Sequence, residues 1–171
     1  MSVNLEASLL TVEIAAIKFV FFFHDGRQNG ILINNMGQEA GFAEQAHTAD
    51  WELRVWGPDL AALLEQAARG MYRLTGARLK EGPWMRRKIE ISFTEPESLL
   101  VDFLSDLLFR LESENLVFEQ FDLVIEGNRL FANLSGAPLA SLDKEIKAVT
   151  YHNLTVRKTE RGLEANVVFD V

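Results

Sequence analysis

Two stretches of the chain repeat apolar residues at the spacing of an amphipathic helix. The first follows Gly-Pro-Asp at residues 57–59, which suits a helix start, and stops at Gly76, which suits a helix end. The second follows Thr94 and Glu97, which have the spacing of a capping box. Its apolar positions are Leu100, Phe103, Leu104, Leu107, Leu108 and Leu111. The pattern predicts two helices that each bury one face.

Most other segments alternate apolar and polar residues, as strands do. Strands are predicted at 42–56 with a break at 47–50, and at 86–93, 121–125, 130–134, 145–157 and 163–171. Residues 136–143 are predicted to form a loop, and Gly127-Asn128 a two-residue hairpin turn. Long strands joined by short turns pair antiparallel. We therefore predict an α+β fold with two amphipathic helices packed on antiparallel sheets.

An apolar segment lies near the N-terminus, at residues 14–23. It is ten residues long and contains Lys18, whereas a membrane span needs about 20 apolar residues. Glu6 and Glu13 precede it, where a signal peptide would carry basic residues. We therefore expect a cytoplasmic protein with no membrane association.

The regular pattern begins after Met36, which predicts a domain at 36–171 and an N-terminal extension at 1–35. The extension is either outside the domain, even a start-site misassignment, or an extra strand or hairpin. The second interpretation uses the turn signals Asp25-Gly26 and Asn29-Gly30.

Charge and composition exclude several function classes. The 171 residues carry a net charge of −8, which argues against direct nucleic-acid binding. The absence of Cys excludes disulfides, thiolate metal sites and Cys nucleophiles. The chain has no Walker-type phosphate loop, dinucleotide glycine motif, nucleophile-elbow serine or zincin helix. We therefore assign no catalytic residues and expect a protein that is not an enzyme.

Two carboxylates are candidates for a cation site. Asp170 precedes Val171 in the last predicted strand, so its side chain lies beside the terminal carboxylate. These anions repel unless water or a cation separates them, and all-oxygen ligands suit Ca²⁺ or Mg²⁺. The alternative is a frayed, solvated end. Asp50 lies at the break in the first strand, where a lone Asp usually caps a turn.

The predicted strand at 145–157 carries further polar candidates. Glu145 and Lys147 are typical of a solvated strand end. His152 is typical of a hydrogen-bonded structural histidine, and its functional alternative is a polar role beside the ligands near Asp50.

Four segments together resemble the archease family. They are His47-Thr48-Ala49-Asp50, the helix starting at Pro96, the motif Glu-Ile-Lys-Ala-Val-Thr-Tyr-His at 145–152, and the ending Phe169-Asp170-Val171. They occur in the family's order over residues 42–171. Ala46 is a departure, because many relatives carry an acidic residue there.

The resemblance implies a non-enzymatic chaperone that activates the tRNA-splicing RNA ligase, which joins RNA ends bearing a cyclic phosphate and a 5′-hydroxyl. Such proteins promote guanylylation of the ligase's active-site histidine and support multiple turnover. They bind a divalent metal, commonly Ca²⁺, with Mg²⁺ as the alternative.

Carried over to this chain, the resemblance implies metal ligands at Asp50, Asp170 and Val171. It associates ligase activation with Glu145, Lys147, His47 and His152. Two other functions remain open: a metal-dependent hydrolase that uses Asp50, Asp170 and Glu145, and a purely structural protein-binding module.

Overall fold

A computed structural model of the chain describes residues 10–14, 17–24, 27–34, 39–45 and 51–171, with side chains from Ala40 onward within these ranges. In chain order the elements are β1 (Leu10–Ile14), β2 (Ile17–His24), β3 (Arg27–Asn34), β4 (Glu39–Gln45), β5 (Trp51–Gly57), α1 (Leu60–Thr75), β6 (Arg78–Leu79), β7 (Met85–Ser92), α2 (Pro96–Ser113), β8 (Leu116–Glu126), β9 (Arg129–Ser141), β10 (Ala148–Thr150), β11 (Arg157–Thr159) and β12 (Gly162–Asp170).

The described strands form two antiparallel sheets. The larger has the order β1-β2-β3-β4-β5-β12-β10, and β11 also pairs with β12. In the smaller, β9 pairs with β6, β7 and β8. Helix α1 packs against β4, β5 and β12 of the larger sheet, β8 of the smaller sheet, and α2. The predicted α+β fold, with two helices packed on antiparallel sheets, is confirmed.

Helix α1 has the ends that its sequence predicts. It begins at Leu60, after Asp59, whose Oδ1 accepts a hydrogen bond from the backbone N of Ala62 at 2.8 Å. It ends at Thr75, before the C-cap Gly76, which has the left-handed φ of +64° that a glycine adopts without a steric penalty.

Helix α2 buries its predicted apolar stripe, because all six stripe residues are buried. The predicted capping box is wrong. The N-cap is Glu95, which makes no side-chain capping bond. The carboxylate of Glu97 instead accepts a hydrogen bond from the backbone N of Val156 at 2.7 Å. Glu97 therefore ties the first turn of α2 to the segment between β10 and β11.

The Glu97 contact leads to a stability prediction. Glu97→Ala removes a charged acceptor from a partly buried N–H, so we expect it to lower the free energy of unfolding by about 1–2 kcal/mol. Glu95→Ala is the matched control, because the exposed Glu95 side chain caps nothing, and it should cost less than about 0.5 kcal/mol. Urea unfolding of both variants provides the measurement. Equal losses would show that the Glu97 bond contributes nothing specific.

The single long strand predicted at 145–157 is wrong. The structure has two short strands there, β10 and β11, separated by a turn at His152 and Asn153. Asn153 adopts φ +53°, a conformation that ends extended pairing. Ile146 and Val149 are both buried, so the predicted alternation of faces fails as well. The residues around His152, predicted to lie in a strand, therefore form a surface turn.

The loop predicted at 136–143 is also wrong, because β9 continues to Ser141 and pairs with β6. The hairpin turn at Gly127-Asn128 is confirmed between β8 and β9.

The predicted N-terminal extension contains β1, β2 and β3, which pair in sequence. Asn29-Gly30 lies inside β3 rather than in a turn, and Asp25-Gly26 lies outside the described residues. The division into 1–35 and 36–171 stays a prediction. Neither described helix is long and apolar enough to cross a membrane.

Candidate functional site

Strand β12 carries Asp170 to one end of the larger sheet. It lies between β5 and β10, and its pairing with β5 runs up to Phe169 opposite Trp51. On its other side, Asp170 pairs with Ala148. Phe169 is fully buried, so the strand is packed into the core immediately before Asp170.

Two cross-strand contacts fix the register of β12 against β5. The Arg54 Nη2 atom lies 2.7 Å from Glu164 Oε2, and Asn166 Nδ2 donates to Glu52 Oε1 at 2.7 Å. The hydrogen bond from Arg54 lowers the pKa of the Glu164 carboxyl, against the opposing effect of burial. Because a slip of one residue would reverse the faces of β12, these contacts also determine which face Asp170 occupies.

Lys147 holds the end of the chain through two hydrogen bonds. Its backbone N donates to the backbone O of Asp170 at 2.8 Å, and its Nζ donates to the main-chain O of Val171 at 2.8 Å. Val171 is half-buried and packs against the core, so the end of the chain is not frayed. The Asp170 side chain is exposed. We call Trp51, Lys147, Asp170 and Val171 the C-terminal tip.

Lys144 extends this tip, and sequence reasoning gave it no such role. Its Nζ lies 4.5 Å from the ring centroid of Trp51, within the range of a cation–π contact. The backbone N atoms of Asp143 and Lys144 both donate to the backbone O of Thr75, at 3.0 and 3.1 Å. The segment that carries Glu145 and Lys147 is therefore anchored to the end of α1. Lys144 and Trp51 lie far apart in the sequence, so no local signal could have paired them.

The predicted metal ligands are described only in part. Asp50 and His47 lie outside the described residues, and Trp51, the neighbour of Asp50, pairs with the neighbour of Asp170. Within the described ranges, no group of three or more His, Cys, Asp or Glu side chains could hold a metal ion. The described part of the predicted ligand set is one exposed carboxylate, on Asp170, and the oxygen atoms of Val171.

The remaining candidates fall into two places. Glu145 is exposed and lies on the segment that leads to Lys147. His152 lies beyond the end of β10, and because β10 runs antiparallel to β12, this is the end away from Asp170. Its ring Nε2 is 3.0 Å from Asn153 Nδ2. The structure therefore brings Lys147 to the C-terminal tip and separates His152 from it.

The family model and the similar known proteins all point to one family. The model of the Archease protein family matches residues 42–171. Protein archease of Methanosarcina barkeri is 36% identical over 134 residues, which cover 73% of this chain and 92% of that protein. Protein archease of Methanothermobacter thermautotrophicus is 31% identical over 132 residues, which cover 72% of this chain and 94% of that protein.

Solved structures share the fold. The solution structure of Methanobacterium thermoautotrophicum protein 1598 superposes with a TM-score of 0.61 at 27% identity, covering 77% of this chain and 99% of that one. The crystal structure of a Thermotoga maritima archease, described as a possible chaperone, gives a TM-score of 0.56 at 24% identity, covering 75% of this chain and 94% of that one. The family match extends from β4 through the C-terminal tip. This chain belongs to the archease family.

Proposed function

We propose that this protein is a non-enzymatic cofactor of the tRNA-splicing RNA ligase. It promotes guanylylation of the ligase's active-site histidine, whose ring nitrogen displaces pyrophosphate from GTP, and so supports multiple turnover. The observation that carries the proposal is the anchored C-terminal tip in a chain of the archease family. A frayed terminus could not present a defined group to another protein, whereas Lys147 and the packing of Val171 hold this one in place.

The proposal includes a divalent cation, preferably Ca²⁺, held by Asp50, Asp170 and Val171. The described donors fit a hard cation, because carboxylate and main-chain oxygens are the ligands that Ca²⁺ takes in proteins. Covalent geometry adds support. Trp51 pairs with Phe169, the residue before Asp170, and Asp50 directly precedes Trp51 in the chain. Because consecutive Cα atoms are about 3.8 Å apart, the Asp50 backbone is close to this end of β12. When bound, the cation supplies positive charge that offsets the repulsion between these carboxylates.

The chain's own residues supply the rest of the proposed mechanism. Lys147 fixes the position of Val171 and contributes a positive charge beside its oxygen. Lys144 covers the face of Trp51, and Glu145 projects from the segment between these two lysines. The tip thus presents closely spaced opposite charges, which suits contact with a polar active-site entrance and sets orientation more than affinity. We propose that this arrangement of charges at the tip activates the ligase.

The test of this function is guanylylation of purified ligase at limiting GTP and Mn²⁺, with and without the full-length protein. We expect faster formation of the ligase–GMP adduct, and joined RNA in molar excess over ligase. The protein alone should leave GTP and phosphodiester substrates intact. A ligase whose rate and turnover do not change, at protein concentrations above its own, would refute the proposed function. Substrate hydrolysis by the protein alone would favour the hydrolase alternative.

A further inference from the structure

A cavity of about 410 Å³ opens between the C-terminal end of α2, the end of β9 and the segment that leads to Lys147. Its apolar lining consists of Leu108, Leu111, Leu139, Leu142 and Ile146. Leu139 and Leu142 are half-buried, so part of this surface faces the opening. Its volume lies within the range of natural ligand sites, about 300–1,000 Å³. The lining can accept one large apolar side chain.

Two carboxylates flank this apolar surface. Glu112 on α2 and Glu145 on the opposite side both line the cavity, and both are exposed. Among the described residues, neither carboxylate has a hydrogen bond or an ion pair, whereas the carboxylate of Glu114 nearby is held by Arg87 and Arg110. The cavity also lies at the C-terminal end of α2, where the helix dipole adds negative potential. The electrostatics therefore favour a cationic group beside the apolar one.

An exposed aromatic side chain lies on the same helix, outside the cavity. Phe109 is 62% exposed, the largest exposed fraction among the large hydrophobic side chains described. It lies three residues before Glu112 on α2, and residues at this spacing are neighbours on a helix surface. A small ligand confined to the cavity would leave the Phe109 ring uncovered. A protein segment can cover both the cavity and the ring.

We propose that this cavity docks a protein segment that places a leucine-sized side chain in the apolar lining and an adjacent Lys or Arg between Glu112 and Glu145. The cavity lies next to the C-terminal tip, because Ile146 lines the cavity and Lys147 of the tip is the next residue in the chain. That the segment belongs to the ligase rests on the proposed function. The docking chemistry of the cavity does not depend on the proposed function.

The test uses capped model peptides and methyl NMR spectra of the full-length protein. The probes are acetyl-Gly-Leu-Lys-Gly-amide and acetyl-Gly-Leu-Glu-Gly-amide. We expect the Lys peptide to shift the methyl signals of the cavity leucines and to bind about fivefold more tightly than the Glu peptide, since each exposed ion pair contributes modestly. Glu112→Lys should abolish this preference, because the introduced cation offsets the charge of Glu145. Asp102→Lys is the matched control, because it makes the same charge change on α2 outside the cavity lining and should leave the preference unchanged.

Three outcomes would overturn the proposal. They are the absence of shifts at the cavity leucines, equal binding of both peptides, and methyl shifts that follow protein concentration alone. The last would assign the cavity to a second copy of this chain. Loss of the preference in Glu112→Lys, with the preference kept in Asp102→Lys, supports the proposal.

The ligase experiment is separate from the peptide experiment, so the two failures can be told apart. If the peptides bind as expected but the ligase is not activated, the docking site stands and the proposed function falls. If the ligase is activated equally by wild type and by Glu112→Lys, with unchanged binding to the ligase, the docked segment does not belong to the ligase.

Discussion

Replacing Asp170 with asparagine is expected to remove at least about half of the stabilisation that Ca²⁺ gives through the proposed site. Asparagine keeps the shape of the side chain but loses the charge that a hard cation requires. At Ca²⁺ concentrations about 100 times the wild-type Kd, binding raises the free energy of unfolding by about 2.7 kcal/mol. A variant with at least tenfold weaker affinity should gain no more than about 1.4 kcal/mol under the same conditions. Urea unfolding with Ca²⁺ and with a chelator measures both values.

Without metal, the Asp170→Asn variant should keep the wild-type fold and stability. Asp170 contributes its backbone to the pairing with β10, and its exposed side chain has no hydrogen bond among the described residues. In chelator, the free energy of unfolding should therefore change by less than about 0.5 kcal/mol. Asp102→Asn is the matched control, since it makes the same change at an exposed position on α2. If Asp170→Asn retains the full Ca²⁺ effect, Asp170 is not a ligand.

The same variant connects the metal to the proposed activity. We expect Asp170→Asn to lose stimulation of ligase guanylylation, while Asp102→Asn retains it. A variant that loses Ca²⁺ binding but stimulates fully would separate the cation from ligase activation. It would leave Lys147 and Glu145 as the groups that carry the activity.

The helices could be predicted from the sequence because their signals are local. An apolar stripe at helical spacing and a glycine stop suffice for α1, and the stripe of α2 is buried as expected. The hairpin between β8 and β9 is local too, since Gly127 adopts the φ of +60° that its turn requires.

The end of β9 could not be predicted, because its residues are explained by contacts with neighbouring strands and not by the local sequence. Gly136 and Pro138 suggest a loop, yet both lie in β9. A Cβ at Gly136 would lie 2.7 Å from the Cα of Phe118, so glycine permits the close approach of β8. The O atom of Pro138 accepts a hydrogen bond from the backbone N of Lys80 at 2.8 Å. The chain is extended there because of pairing that the local sequence does not encode.

The strand predicted at 145–157 was wrong because tertiary contacts interrupt it, just as tertiary pairing extends β9. Its alternation of apolar and polar residues is typical of a strand, but the N–H of Val156 bonds to Glu97 on α2. A tertiary acceptor and the left-handed Asn153 interrupt a local pattern. At the candidate site, Asp170 and Lys147 could be chosen from the sequence, whereas their contact depends on the pairing of β10 with β12.

The two phenylalanines of α2 should differ strongly in their effect on stability. Phe103 is fully buried, and Phe103→Ala leaves a cavity in addition to losing apolar burial. We expect a loss of about 3–5 kcal/mol in the free energy of unfolding. Small domains have about 5–15 kcal/mol in total, so this loss is a large share. Urea unfolding should show a lower midpoint with an unchanged m-value.

Phe109→Ala is the matched substitution on the same helix. Because the Phe109 ring is 62% exposed, its truncation should change the free energy of unfolding by less than about 0.5 kcal/mol. Similar losses in both variants would mean that Phe109 is covered in the folded protein, and that it is not available to a partner. A large loss for Phe103 alone would mean that Phe109 adds little to folding. An aromatic ring with that exposure and no role in folding is then free to bind a partner segment beside Glu112.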